Sequence, residues 1–251
     1  MTDTCLVSCI LGQNFASVYK APQKEAYFFT NNPALRGEIE NKGWQYVFLD
    51  LPLSVDAAVS SLQAKYVKFL QFLRRPDCPP PLKSCSRIIY LDHKVELKSR
   101  HIAKLLAAEQ RLVLVRKHQH GHSNIWGEVS ASLLQERYTR FIDKIMEYVL
   151  AKIKQNNVYK TTTVVPWTSL ILYRPQDQQV QKFTDEVYRD LLEIGTSECQ
   201  IVWAMVAQKY PELIQYLDAA EIVTNENWWT KFKAFIRFWT PYGVLCKLDK
   251  F

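Results

Sequence analysis

The clearest candidate for chemistry is the acidic residue at the end of an apolar run. The run IIYL at 88–91 is followed by Asp92, His93 and Lys94. A buried strand ending in Asp delivers its carboxylate to the carboxyl edge of an α/β sheet, where ligands bind. Such a carboxylate can hold a divalent cation that neutralises a diphosphate. The alternative is that Asp92 caps the next turn, a common use of Asp.

A second candidate lies in the segment TSECQ at 196–200, which opens a helix after Gly195. We expect Ser197 to be the N-cap and Glu198 to lie in the first turn, where negative charge is favoured. In the functional interpretation Glu198 acts as a base or binds a sugar hydroxyl, and Gln200 faces the same pocket. The alternative is helix capping alone.

Two basic groups have spacings that suit ligand binding. In an extended segment His118, His120 and His122 would project to the same side and could bind zinc. No Cys or acidic residue completes a known zinc spacing, so we favour a polar loop in which one histidine orients a ligand; a metallohydrolase stays an alternative. Lys65 and Lys68 lie one turn apart on a predicted helix. Such lysines usually form a solvated face, but one of them could contact a diphosphate.

Short β-rich runs alternate with longer helical patterns, which is typical of a layered α/β sheet. The predicted strands cover 5–11, 26–30, 44–49, 87–91, 111–116 and 161–173, the last with a break. The predicted helices cover 33–42, 54–72, 99–108, 128–154, 176–192 and 198–208. The proline-rich segment 77–86 is predicted to be a loop.

Composition narrows the class of protein. The chain has 251 residues, is 48% hydrophobic and carries a formal net charge of +7, which suits one large core and a phosphate-bearing partner. The six cysteines form no C-x-x-C pair, the start lacks the basic region of a signal peptide, and no apolar stretch is long enough to span a membrane. We therefore expect a cytoplasmic protein. The fingerprints of P-loop ATPases, dinucleotide dehydrogenases and typical α/β hydrolases are missing.

The order of these motifs resembles that of a GT-A-type nucleotide-sugar glycosyltransferase, from a little-characterised branch of those enzymes. The resemblance covers roughly residues 5–217 and rests on YFFTN at 27–31, the strand with Trp44, the helix with Lys65, YLDHK at 90–94, KH at 117–118, EV at 128–129, ERY at 136–138, SLILY at 169–173, DE at 185–186 and SECQ at 197–200. It implies a GT-A-like, Rossmann-like mixed sheet flanked by helices, in a catalytic domain over 1–222.

The resemblance also implies roles for the candidate residues. The donor would be a nucleotide-diphosphate sugar, and the acceptor a glycan or a lipid-linked hydroxyl, as in polysaccharide biosynthesis. The usual metal motif has two acidic residues around one spacer, but Lys94 occupies the second position, so Mn²⁺ or Mg²⁺ would be held by Asp92 alone or replaced in part by Lys94. The implied substrate-binding residues are Thr30, Asn31, Lys65, His93, Lys94, His118 and Gln200; the implied catalytic residues are Glu198 and Asp92.

The C-terminal segment 223–251 differs from the rest in being aromatic and basic. On a helix, Trp228, Phe232 and Trp239 share a face that Lys231 and Arg237 flank, as in a helix lying on an anionic membrane. We predict peripheral membrane attachment through Trp228–Trp239; the alternative is packing onto the domain or onto a second subunit. A nucleic-acid-binding module is a further alternative, but the charge is diffuse and no nucleic-acid motif appears, so no such partner is expected.

Overall fold

The computed structural model describes residues 3–13, 18–117, 124–155 and 158–218. These ranges fall inside the predicted catalytic domain. The predicted tail at 223–251 and the histidines at 118, 120 and 122 lie outside the described residues, so the predictions made for them, and the domain boundary, stay predictions. Among the helices of the described ranges, none has both the length and the apolar character needed to cross a membrane.

The described chain alternates strands and helices. The strands are β1 Thr4–Cys9, β2 Ala26–Thr30, β3 Gln45–Phe48, β4 Arg87–Leu91, β5 Val113–Lys117, β6 Pro166–Tyr173 and β7 Ile214–Leu217. The α-helices are α1 Arg36–Asn41, α2 Ala57–Lys68, α3 Pro80–Ser84, α4 Ser99–Ala107, α5 Ile125–Ser132, α6 Glu136–Thr139, α7 Ile142–Gln155, α8 Gln178–Ile194 and α9 Cys199–Val206.

The seven strands form one mixed sheet in the order β3-β2-β1-β4-β6-β5-β7. Strand β6 runs antiparallel to both of its neighbours, β4 and β5, and the other pairs are parallel. Leu91 lies opposite Leu170, and the Asp92 N–H donates to the Ser169 carbonyl oxygen at 2.8 Å. The reversed strand therefore brings its amino end beside the carboxyl end of β4, where Asp92 lies.

Alternating side chains of the strands build a separate core on each face of the sheet. In β4, Ile88 and Tyr90 enter the core beneath α2, α5, α7, α8 and α9, whereas Ile89 and Leu91 enter the core beneath α1 and α4. Both faces are covered, which explains why the strands are apolar runs and not alternating ones. The α/β class of the prediction, a mixed sheet flanked by helices, is confirmed.

Some predicted elements were wrong in detail. The helix expected over 128–154 is three helices, α5 to α7, because the chain turns at 133–135 and again before Ile142. The loop expected over 77–86 contains α3, whose first residue is Pro80, a position where proline costs no hydrogen bond. Residues 161–165 do not form a strand, and the four-residue edge strand β7 was not predicted.

Candidate active site

A cavity of about 290 Å³ opens at the sheet edge where β1 and β4 end and β6 begins. This edge is where ligands bind in open α/β sheets. Helix α2, helix α6 and the start of α9 complete its wall. Six of the predicted site residues line it, together with Lys68: Lys65, Asp92, His93, Lys94, Glu198 and Gln200.

Asp92 is the counter-ion of a buried lysine. Its Oδ1 lies 3.2 Å from Lys68 Nζ and accepts a hydrogen bond from the Tyr90 hydroxyl at 2.8 Å. The Lys68 ammonium group also lies over the Tyr90 ring, 5.1 Å from its centroid, and donates to Thr168 Oγ1 at 3.4 Å. Burial opposes ionisation of Asp92, but Lys68, Lys65 and Lys94 together hold its pKa well below the usual range. Asp92 is therefore ionised and already engaged by protein groups.

Lys65 lies one helical turn before Lys68 and is also buried, with 7% of the residue exposed. The alternative in which these lysines form a solvated helix face is therefore wrong for both of them. Lys65 lines the cavity, and no residue of the described ranges forms a hydrogen bond or an ion pair with its ammonium group. Burial lowers its pKa, with Lys68 adding repulsion, although Cys199, Asp92 and Glu198 partly offset the effect. An anion in the cavity would stabilise this charge.

The loop after β1 packs closely against α2, the helix that carries Lys65 and Lys68. Gly12 has a φ of +89°, and a Cβ there would lie 2.0 Å from Ser60 Oγ, so only glycine fits. The Gly12 N–H donates to Asn31 Oδ1 at 2.7 Å, and Asn31 Nδ2 donates to the Pro52 carbonyl at 2.9 Å. Helix α2 ends at Lys68, just before Leu70, which adopts a left-handed φ of 61°.

Thr30 and Asn31, predicted to bind substrate, do not line the cavity. Both are buried, and Thr30 Oγ1 accepts a hydrogen bond from the Asn32 N–H at 3.1 Å. The Asn31 amide joins the loop after β1 to the segment after β3, as described above. Their visible contacts are those of residues that hold the loops of the cavity in place.

Glu198, and not Ser197, is the N-cap of α9. Its Oε1 accepts from the Gln200 N–H at 2.9 Å, and 2% of the residue is exposed. Ser197 does not cap, because the chain is still in the buried turn whose Thr196 Oγ1 accepts from the Glu198 N–H at 3.2 Å. Burial raises the pKa of Glu198, although the Gln200 N–H, Lys65, Arg137 and Lys68 oppose the rise. A carboxylate of this kind is a better proton acceptor than an exposed one.

Gln200 connects Glu198 to a second buried carboxyl group that was not predicted as a site residue. Its side-chain Nε2 donates to Glu128 Oε1 at 3.1 Å, while its backbone N–H binds Glu198. Burial, reinforced by the charge of Glu198, raises the pKa of Glu128 to about 8. Glu128 was seen only as part of the pair EV at 128–129. An acidic residue on the buried face of a helix was the signal that could have identified it.

Three further residues of the cavity wall were not assigned roles from the sequence. Arg137 and Tyr138 come from α6, where the Arg137 guanidinium lies 4.5 Å from the centroid of the Tyr138 ring. Trp167, at the start of β6, lines the cavity and stacks against Arg116 at 4.2 Å. The motif ERY at 136–138 was noted without a function. Trp167 had no signal of its own, because its place depends on the reversal of β6.

The residues present do not fit a divalent cation. Asp92 and Glu198 are the two carboxyl groups that line the cavity in the described part of the chain, and lysines surround Asp92. No group of three or more His, Cys, Asp or Glu residues that could hold a metal ion occurs within residues 3–13, 18–117, 124–155 and 158–218. Mg²⁺ is commonly held by one or two carboxylates together with waters and substrate phosphates, but Asp92 is already paired with Lys68 and is surrounded by further cations.

Comparisons with known proteins add little to this geometry. No protein-family model matches the chain, and no curated protein matches it. Among solved structures it is similar to the crystal structure of mouse xyloside xylosyltransferase 1 in its apo form, with 10% sequence identity and a TM-score of 0.46. That match covers 87% of this chain and 86% of the mouse chain. A likeness at this level identifies neither a substrate nor the role of any residue.

Proposed function

We propose that this chain is a glycosyltransferase that moves a sugar from a nucleotide-diphosphate donor to the hydroxyl group of a glycan or lipid-linked acceptor. The observation that carries the proposal is one cavity, at the ligand-binding edge of an α/β sheet, that combines a buried cationic wall with a buried carboxyl group. Lys65 and Lys68 supply the first and Glu198 the second. The sequence resemblance to GT-A-type enzymes points to the same chemistry.

The cationic wall suits the leaving group of such a reaction. When the bond between the anomeric carbon and the diphosphate oxygen breaks, the electron pair stays on the diphosphate, whose negative charge grows. Fixed ammonium groups in a partly dry site stabilise that charge more than water does. In the wall, the ammonium group of Lys65 is buried without a hydrogen bond or ion pair to the described residues. The exposed Lys94 lies at the rim of the cavity.

Glu198 is suited to accept the proton of the acceptor hydroxyl. In this step the acceptor oxygen forms a bond to the anomeric carbon while its proton moves to the Glu198 carboxylate. The Gln200 N–H holds Oε1 in place, and burial raises the pKa of the carboxyl group toward neutrality, where a general base is most effective. Gln200 positions the sugar, and His93 and Trp167 border the same space.

A transfer assay tests the proposal. The full chain is incubated with a panel of nucleotide-sugars, and the released nucleoside diphosphate is measured with and without candidate acceptors. We expect one donor class to be turned over. Glu198→Gln should lower turnover by about 100-fold or more, with binding of the nucleoside diphosphate kept within about threefold. Glu193→Gln, on the exposed face of α8, is the matched control. If no donor is turned over and no nucleoside diphosphate binds, the proposal is wrong.

We also propose that the segment Trp228–Trp239 attaches the enzyme to an anionic membrane surface, which would bring it to lipid-linked acceptors. The support is its sequence, in which basic residues flank an aromatic face. Co-sedimentation with vesicles containing phosphatidylserine should be strong for the full chain. A chain truncated after Asn225 should stay in the supernatant; equal sedimentation of both would contradict the proposal.

A further inference from the structure

The charges around the cavity do not balance without a ligand. Four cationic side chains line it, Lys65, Lys68, Lys94 and Arg137, against the two carboxyl groups of Asp92 and Glu198. Lys68 and Asp92 neutralise each other at 3.2 Å. The remaining cations exceed the remaining carboxylate, and the cavity therefore favours an anion.

The two buried lysines differ in how far the protein satisfies them. Lys68 has an ionic partner in Asp92, a hydroxyl in Thr168, the sulfur of Cys199 at 4.0 Å and the face of the Tyr90 ring. The ammonium group of Lys65, which is also buried, forms no hydrogen bond or ion pair with any residue that the structure describes. A buried ammonium group without a counter-ion is costly, because it loses its hydration without compensation. Lys65 is thus the cation that a ligand would complete.

Asp92 is poorly placed to serve as a metal ligand. One of its oxygens already accepts from Tyr90 and faces Lys68, and the fields of Lys65 and Lys94 act on the same carboxylate. A divalent cation at Asp92 would lie among these three ammonium groups and would be repelled by all of them. The cations that remain once Lys68 has paired with Asp92, the buried Lys65 first among them, can instead neutralise a diphosphate directly.

We propose that the cavity binds the diphosphate of the donor without a divalent cation, with Lys65 as its principal phosphate contact and Asp92 as the residue that positions Lys68. This inference rests on the proposed function. It reassigns Asp92 from metal ligand to positioning residue, and it gives the neutralising role of the metal to the cations of the cavity wall, chiefly Lys65. Pairing with Asp92 keeps Lys68 ionised and in place at the side of the cavity.

Calorimetric titration of the full chain tests the absence of a metal requirement. The probes are UDP, GDP, ADP and CDP, each in EDTA and again with excess Mn²⁺. We expect the nucleotide that binds best to have dissociation constants within about threefold in the two conditions. Binding that requires Mn²⁺, or that Mn²⁺ tightens by more than about tenfold, overturns the inference and leaves the proposed function standing. If no nucleotide binds in either condition, the proposed function itself fails.

Single substitutions test the roles given to Lys65 and Asp92, with Lys94 as the exposed comparison. Lys65→Met should weaken binding of the same nucleotide by about tenfold or more, and Lys94→Met, at the exposed rim, by about threefold or less. Asp92→Asn should weaken binding by the same factor in EDTA and in Mn²⁺, because Lys68 loses the carboxylate that holds it in place; a metal ligand would instead show a loss confined to the Mn²⁺ titration. Thermal unfolding of each variant establishes that it is folded. Unchanged affinity in folded Lys65→Met would overturn the role given to Lys65.

Discussion

The same trio of lysine, aspartate and tyrosine occurs twice among the residues that the structure describes, once at the cavity and once between two helices. At the cavity, Lys68 lies over the Tyr90 ring and pairs with Asp92, which accepts from the Tyr90 hydroxyl at 2.8 Å. Between α7 and α8, Lys152 lies 5.3 Å from the centroid of the Tyr148 ring and pairs with Asp190 at 2.9 Å, and the Tyr148 hydroxyl donates to Asp190 at 2.8 Å.

The two trios differ in their third cation. Beside Asp190 this cation is Arg189, whose side chain is 68% exposed and therefore hydrated. Beside Asp92 it is Lys65, which is buried and faces the cavity. The helix trio is thus complete by itself, whereas the cavity trio carries a desolvated positive charge that needs a ligand. The comparison shows that a buried ion pair alone does not mark a site; an additional buried charge does.

Breaking the helix trio should have the largest effect on stability. Asp190→Ala leaves Lys152, whose side chain is 15% exposed, without its counter-ion, and we expect the free energy of unfolding to fall by about 3 kcal/mol. Urea denaturation measures it. The folded variant should still bind the nucleoside diphosphate with unchanged affinity. A large loss of affinity, with stability intact, would show that the two trios are not separate in function.

Glu128 is a buried group of the opposite charge, and its effect on the free energy of unfolding should depend on pH. Because folding raises its pKa from 4.5 to about 8, the folded protein loses stability as pH rises from about 4.5 to 8, by at most about 1.4 kcal/mol per pH unit. Glu128→Gln keeps an acceptor for the Gln200 amide and removes this penalty. The variant should match the parent near pH 4.5 and become progressively more stable than the parent as the pH rises to 8. A difference independent of pH would contradict the assignment.

Lys65 should show the opposite signs in stability and in binding. Removing a buried charge without a protein partner relieves its desolvation, so Lys65→Met is expected to raise the free energy of unfolding of the unliganded protein by about 1 kcal/mol. The exposed Lys94→Met should change it by less than about 0.5 kcal/mol. Denaturant titration without nucleotide provides the measurement. Destabilisation by Lys65→Met would mean that Lys65 is satisfied within the protein, as Lys152 is.

The smallest expected effect concerns the hydroxyl group that is specific to the cavity trio. Thr168 Oγ1 lies 3.4 Å from Lys68 Nζ and 3.2 Å from Cys199 Sγ. Thr168→Val removes this acceptor from a buried ammonium group, and we expect a loss of about 1 kcal/mol. Thr168→Ser, which keeps the hydroxyl, should lose less. Equal losses from both variants would assign the effect to packing and not to the hydrogen bond.

The sequence was a good guide to the sheet and a partial guide to the site. Strands β2 and β4 were predicted to the residue because they are apolar runs bounded by polar or turn-forming residues, and Asp92 followed from the end of β4. The caps and breaks of the helices were harder to predict from the sequence. The division of 128–154 into three helices depends on tertiary packing, which a periodic pattern does not encode.

The environment of each candidate could not be predicted either. Lys65 and Lys68 have the spacing of an ordinary helix surface, and only the packing of α2 against the sheet shows that they are buried. The contact between Lys68 and Thr168 joins residues separated by 100 positions. Glu128 and Glu198 come together through Gln200 from helices far apart in the chain. Sequence identifies residue types, but desolvation and pairing depend on the assembled fold.

The reversed strand has a consequence for synthesis of the chain. Strand β5 pairs only with β6 and β7 among the described strands, and β4 needs β6 on one side. During translation, both β4 and β5 therefore emerge well before residues 166–173 can join them, and each meanwhile leaves an edge of unpaired backbone N–H and C=O groups. Open edges of this kind aggregate readily. A chain that ends before β6 would lack both the strand that joins β4 to β5 and the part of the cavity wall formed by Trp167, Thr168 and Ser169.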